Sequence, residues 1–134
     1  MSKAAKSKPA ESSPLIYVVD DEWMICEMVG SILEPAGYRV QLFSDPRIAA
    51  EAFTAAKPKP DLLLTDFRME PMNGMQLIAL CRKNTAGIRT ILFSGQIDES
   101  YVRTHGFKPD MFLRKPFYPA ALIALVEGIL AKDA

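Results

Sequence analysis

The sequence has few of the features that mark secreted, metal-thiolate or membrane proteins. Its two cysteines, Cys26 and Cys81, sit inside apolar stretches and lack metal-type spacing. That pattern argues against a zinc ribbon and favours two reduced core thiols over a disulfide framework. No apolar run approaches the roughly 20 residues of a membrane helix. The lysine-bearing N-terminus has no apolar stretch behind it, so it does not read as a secretory signal. Neither charge sign is in excess: 16 Lys plus Arg stand against 16 Asp plus Glu. No bulk field therefore draws the chain to nucleic acid or to a membrane surface. There is no internal repeat and no G-x-x-x-x-G-K-[ST] loop to support nucleotide hydrolysis. The single histidine, His105, precedes Gly106 near the end of a short helix and is expected at the surface with no metal role.

What is present suits one globular domain: 134 residues, 49% of them hydrophobic. Residues 1–13 carry Lys, Ser, Ala and Pro with only Met1 as a large apolar side chain, so they read as a flexible tail. Residues 14–134 read as the domain. From Pro14 onward, short apolar runs alternate with helical spacings. Leu15–Val19 suits a strand buried on both faces. Residues 23–34 carry Ile25, Val29, Ile32 and Leu33 at helical spacing, stopped by Pro35 and Gly37. Strands are expected at Tyr38–Phe43, Leu62–Thr65, Thr90–Phe93 and Met111–Leu113. Helices are expected from Pro46 to about Lys57, from Gly74, from about Asp98, and over 118–131 with Leu122, Leu125, Val126 and Ile129 inward. Five β-α units require parallel strands with right-handed helical crossovers, hence an α/β doubly wound sheet with helices on both faces.

In such sheets the binding crevice lies at the C-terminal ends of the strands. There the sequence places Asp20-Asp21, Asp66, Ser94-Gly95 and Lys115-Pro116 after strands one, three, four and five. With the common order 2-1-3-4-5, all of them face one crevice. Clustered carboxylates either share a proton or hold a cation, and an all-oxygen set suits Mg²⁺ or Mn²⁺. A carboxylate can attack phosphorus. The charge that develops then needs cations and donors on several sides, which a metal, Lys115 and Ser94 would supply. Gly95 leaves room and a free backbone N–H. Taken singly, each of these motifs is an ordinary turn, cap or exposed loop; the combination at matching strand ends carries the signal.

The segments VVDDE (18–22), LLLTDFRMEPMNG (62–74), ILFSG (91–95) and FLRKPF (112–117) resemble the receiver domain of response regulators in two-component signalling, over residues 15–132. The resemblance implies a flavodoxin-like five-stranded parallel sheet of order 2-1-3-4-5 with five helices. It implies Asp66 as phosphoacceptor and metal ligand, Asp21 as a direct Mg²⁺ ligand, Asp20 as a catalytic residue that is either a ligand through water or a base behind the metal, and the Arg68 backbone carbonyl as the third protein ligand. Ser94 and Phe112 would be the switch residues, Lys115 the catalytic lysine, and Pro116 a cis proline. The phosphodonor would be a sensor histidine kinase or phosphotransfer protein, the output an unnamed downstream protein, and the setting cytoplasmic. Beyond its own Mg-dependent phosphorylation and slow dephosphorylation such a domain is not an enzyme.

One position departs from the family pattern: Glu70 stands where proline is usual, with Pro71 after it, which predicts a different loop shape. Arg68 and Gln96 occupy the two variable positions on the approach to the phosphoryl group, and Arg68 is expected to shield it from water. Phe117, Tyr101 and Tyr118 are expected partly buried, Trp23 at the surface, and Met69, Met72 and Met75 as packing around the loop. Two other readings stay open: a pseudo-receiver acting as a non-phosphorylated interaction module, and a phosphohydrolase, against which Arg68 stands where an acid/base carboxylate is needed. With no output segment after the last helix, a stand-alone receiver is expected, though a piece of a longer protein would look the same.

Overall fold

A computed structural model describes residues 12–131, apart from the side chains of Gln96 and Ile97. The expected tail lies outside the described residues except for Ser12 and Ser13. Ten elements alternate: β1 (Leu15–Val19), α1 (Trp23–Leu33), β2 (Arg39–Phe43), α2 (Pro46–Ala55), β3 (Leu62–Asp66), α3 (Gly74–Asn84), β4 (Arg89–Ser94), α4 (Gln96–Thr104), β5 (Met111–Arg114) and α5 (Pro119–Ala131). All strands are parallel, in the order β2-β1-β3-β4-β5. The expected fold class and order are those observed.

Successive side chains on a strand point to opposite faces, and that period sorts the core into two layers. Ile16, Val18, Leu62, Leu64, Ile91 and Phe93 pack against α1 and α5. Tyr17, Val19, Leu63 and Leu92 pack against α2 and α3. Both faces are covered, so the central strands read as unbroken apolar runs rather than alternating ones. Each large side chain removed from water here contributes about 1.5–3 kcal/mol.

The helix starts follow local chemistry. Asp45 caps α2, accepting from the Arg47 N–H at 2.9 Å, with Pro46 in the first turn. Asn73 and Gln76 form a reciprocal capping box at the start of α3, with bonds of 2.8 and 2.9 Å. Helix α4 begins at Gln96, two residues earlier than expected. Its N-cap is Gly95, whose N–H donates to the Asp98 carboxylate at 3.3 Å, so Asp98 reaches back from the first turn rather than opening the helix. On α5, Leu122, Val126 and Ile129 are buried as expected, while Leu125 is half-buried. Tyr118, expected partly buried, is 80% exposed because it precedes α5 on an open turn. The bonds Lys57–Pro58, Glu70–Pro71 and Lys115–Pro116 are cis. The last was expected.

The loop after β3 is closed by Gly74, whose N–H donates to the Phe67 carbonyl at 2.9 Å. A Cβ on Gly74 would collide with the Asp66 backbone carbonyl and with the Leu92 side chain. Glycine is needed here for close approach, so that α3 can start directly against the strand end. Gly74→Ala is therefore expected to destabilise the fold by about 1–3 kcal/mol through overpacking against backbone, measured as a lower denaturant midpoint with an unchanged m-value.

Candidate functional site

The carboxyl ends of β1, β3, β4 and β5 meet in one depression of about 380 Å³, with Asp21, Asp66, Arg68, Ser94, Asp98 and Lys115 among its walls. Asp20 and Asp66 continue the side-chain rows of Ile16–Val18 and Leu62–Leu64, so the sheet aims both carboxylates to the same side. Several backbone ties fix the first of these turns. Asp20 N–H donates to the Phe43 carbonyl at 3.0 Å. The buried Cys26 thiol donates to the Asp20 and Phe43 carbonyls at 3.3 Å each. Burial pushes that thiol up to about 11 and the Cys81 thiol to about 12, so both are packing groups rather than nucleophiles.

Asp20 is fully buried, with both oxygens in use. Oδ1 accepts from the Glu22 N–H at 2.9 Å and Oδ2 from Lys115 Nζ at 3.0 Å. The Lys115 ammonium is shared, since it also lies 3.0 Å from Asp66 Oδ1. Its backbone N–H donates to the Ser94 carbonyl at 3.2 Å, which extends the β4–β5 ladder by one rung and holds the lysine at the sheet end. Asp21 is exposed at the rim. Carboxylate oxygens of Asp20, Asp21 and Asp66 lie within 4.8 Å of one another. The donor set is oxygen only and combines two buried carboxylates with an exposed one, which fits a hard divalent cation such as Mg²⁺ that keeps several of its waters.

Two carboxylates and one ammonium do not balance in a poorly solvated site. Burial pushes the Asp66 carboxyl up to about 6 from an ordinary 3.8; the Asp20 charge adds to the rise, and Lys115 opposes it. The Lys115 ammonium is itself raised: burial lowers it, but bonds to Asp20 and Asp66 outweigh that. Ser94 Oγ is buried and has no hydrogen-bond partner among the described residues. A buried hydroxyl left unpaired costs about 1–3 kcal/mol, so this atom is poised for an incoming oxygen.

The sequence-based site residues Asp20, Asp21, Asp66, Ser94 and Lys115 are thus brought together. Phe112 lies half-buried one strand away, under the Arg103 guanidinium at 4.6 Å. One expectation about the site needs correction: the Gly95 N–H is not free, because Asp98 holds it. Arg68 lines the same depression as Asp66, and its guanidinium pairs with Asp98 Oδ1 at 2.8 Å. Asp98, read from the sequence only as a helix start, is therefore a wall of the site. Its signal was the Gly-x-x-Asp spacing of a helix start. Glu70 is exposed, Met69 is buried, and Met72 and Met75 pack at the core edge. Trp23 and His105 are exposed, as expected, and Tyr101 is 47% exposed. The side chain of Gln96 lies outside the described residues.

Because the folded state holds the Asp66 proton more tightly than the unfolded chain, the stability it contributes is present below about pH 4 and lost as pH rises through about 6. Asp66→Asn should match the metal-free wild type near pH 4 and exceed it increasingly toward pH 7, by roughly 3–5 °C in Tm per kcal/mol relieved. Adding Mg²⁺ should raise the wild-type Tm more than that of the variant. Paired thermal melts across that range, with and without Mg²⁺, check both.

The response regulator receiver domain pattern matches residues 16–127. The chain is 29% identical over 136 residues to the alkaline phosphatase synthesis transcriptional regulatory protein SphR of Synechococcus elongatus, covering 93% of this chain and 52% of that protein. The chain spans about half the length of the curated relatives it matches. Its fold is similar to that of a CheY-like receiver domain protein from Methanospirillum hungatei, with a TM-score of 0.80 at 23% identity, covering 90% of this chain and 96% of that one. The receiver domain of NtrX from Brucella abortus matches with a TM-score of 0.77 at 27% identity, covering 87% and 98%. Among the described residues no helix is long and apolar enough to cross a membrane. With its parallel sheet of order 2-1-3-4-5 and its matched span, the chain belongs to the response regulator receiver domain family of two-component signal transduction.

Proposed function

We propose that Asp66 accepts a phosphoryl group from a phosphohistidine of a sensor kinase or phosphotransfer protein, and that the change alters the surface this domain offers to a downstream protein. The observation that carries this reading is the environment of Asp66: a carboxylate at a strand end, 3.0 Å from a lysine shared with Asp20, in the same depression as a serine hydroxyl that has no partner among the described residues.

The chemistry follows from those groups. A carboxylate oxygen of Asp66 attacks phosphorus, the P–N bond to the donor imidazole breaks, and the departing nitrogen takes up a proton from solvent. The transferring phosphoryl group spreads negative charge over its oxygens. Lys115 answers that charge from one side and the Ser94 O–H donates from another. Mg²⁺, when bound, neutralises part of the carboxylate and phosphoryl charge. Asp21 and Asp66 are the residues we assign as its direct ligands, with the Arg68 backbone carbonyl as the third. Asp20 has both oxygens bonded within the protein, which supports contact through water. A dianionic phosphoryl group on Asp66 would draw the Ser94 hydroxyl toward it. That shift frees space on the β4–β5 side for Phe112 to turn inward. Two states that differ in this way signal only if the partner binds them unequally.

The protein incubated with Mg²⁺ and acetyl phosphate should gain the mass of one phosphoryl group, seen by intact-mass measurement after acid quench. The gain should vanish in Asp66→Asn and without Mg²⁺, and fall at least tenfold in rate in Lys115→Ala, which removes one transition-state charge contact worth about 2 kcal/mol or more. A wild type that gains no mass and binds no beryllium fluoride would instead support a pseudo-receiver acting by constitutive binding.

A further inference from the structure

The loop after Asp66 is tied to the start of α4 by two successive residues. The Phe67 ring packs on Tyr101 of α4, with centroids 5.7 Å apart. Arg68 crosses to Asp98 in the first turn of α4, Nη2 to Oδ1 at 2.8 Å. Asp98 is only 8% exposed, and its other oxygen accepts from the Gly95 N–H at 3.3 Å. One carboxylate therefore forms an ion pair with a guanidinium and accepts a hydrogen bond from a backbone amide. Both border the depression that contains Asp66 and Ser94.

A phosphoryl group on Asp66 would be a rival acceptor. It carries close to two negative charges against the single charge of Asp98, and has three oxygens that suit the planar fork of an arginine. Arg68 is long and its side chain is 72% exposed, so little packing resists its swing. The other contacts of the α4 start do not depend on Arg68: Glu99 pairs with Arg114 at 3.0 Å and with Arg103 at 3.8 Å.

We propose that Asp98 is a positioning residue that competes with the phosphoryl group for Arg68 and for the Gly95 N–H, so that phosphorylation releases the α4 start from the loop after β3. This rests on Asp66 being the phosphoacceptor. In the unmodified protein the Arg68–Asp98 pair holds the cation away from Asp66 and restrains α4. In the phosphorylated protein Arg68 and Gly95 N–H turn to the phosphoryl oxygens, and Asp98 loses both partners. The pair thereby sets the affinity of the site for its phosphoryl group and couples that affinity to α4.

Beryllium fluoride titration in Mg²⁺, followed by fluorine NMR, tests this without requiring turnover. Asp98→Asn keeps an acceptor for the Gly95 N–H and removes the charge that holds Arg68. It should bind beryllium fluoride about threefold to fivefold more tightly, the range of a half-exposed ion pair. Arg68→Ala should bind more weakly than wild type, and in that background Asp98→Asn should change affinity less than twofold. Equal tightening in both backgrounds would mean that Asp98 acts only as a distant charge and would overturn the proposal, as would no tightening at all. Failure of the wild type to bind beryllium fluoride would instead remove the phosphoacceptor reading on which the proposal stands.

Discussion

The arrangement depends on a charge imbalance concentrated where β1, β3 and β5 end. Asp20 and Asp66 share a single ammonium, Lys115, at 3.0 Å from each, while Asp21 stands within 4.8 Å of both carboxylates. Burial first, and then the Asp20 charge, raises the Asp66 carboxyl, and a lysine shared between the two acids does not offset them. Such a cluster costs stability, and its groups are suited to binding a cation and then a phosphoryl group. The fold tolerates it because two apolar layers, one on each face of the sheet, supply the stability elsewhere.

The same imbalance explains the surrounding structure. Close-packed backbone holds the acids at their spacing: Gly74 lets α3 begin against the Asp66 carbonyl, and the Cys26 thiol ties the Asp20 turn to the end of β2. The mobile-length cations sit further out. Arg68 is drawn to Asp98 and Arg114 to Glu99, so the first turn of α4 is a second acidic centre facing the first. In the proposed switch, a new negative charge on Asp66 draws Arg68 from the second acidic centre to the first.

Much of this was legible in the sequence because the strands are buried on both faces. Continuous runs such as LLLT identify the strands, and once the strands are set, the rule that parallel sheets bind at their carboxyl ends selects Asp20, Asp21 and Asp66 from 16 acids and Lys115 from 16 bases, with Ser94 beside them. The parts that were not legible depend on contacts between distant residues. Asp98 looks like a helix-opening residue, and only the fold brings Arg68, 30 positions earlier, to its carboxylate. The Gly95 N–H looks free for the same reason. Tyr118 was misjudged because an aromatic beside an amphipathic helix gives no sign of which way its turn leaves the surface.

The central claim is that Asp66, of the three clustered acids, forms the acyl phosphate. Borohydride reduces an acyl phosphate to an alcohol, converting a phosphorylated aspartate to homoserine. Protein treated with acetyl phosphate and Mg²⁺, reduced, digested and sequenced by mass spectrometry should carry homoserine at position 66 alone. Homoserine at position 20 or 21, or none at all in a protein that has gained phosphate mass, would contradict the account.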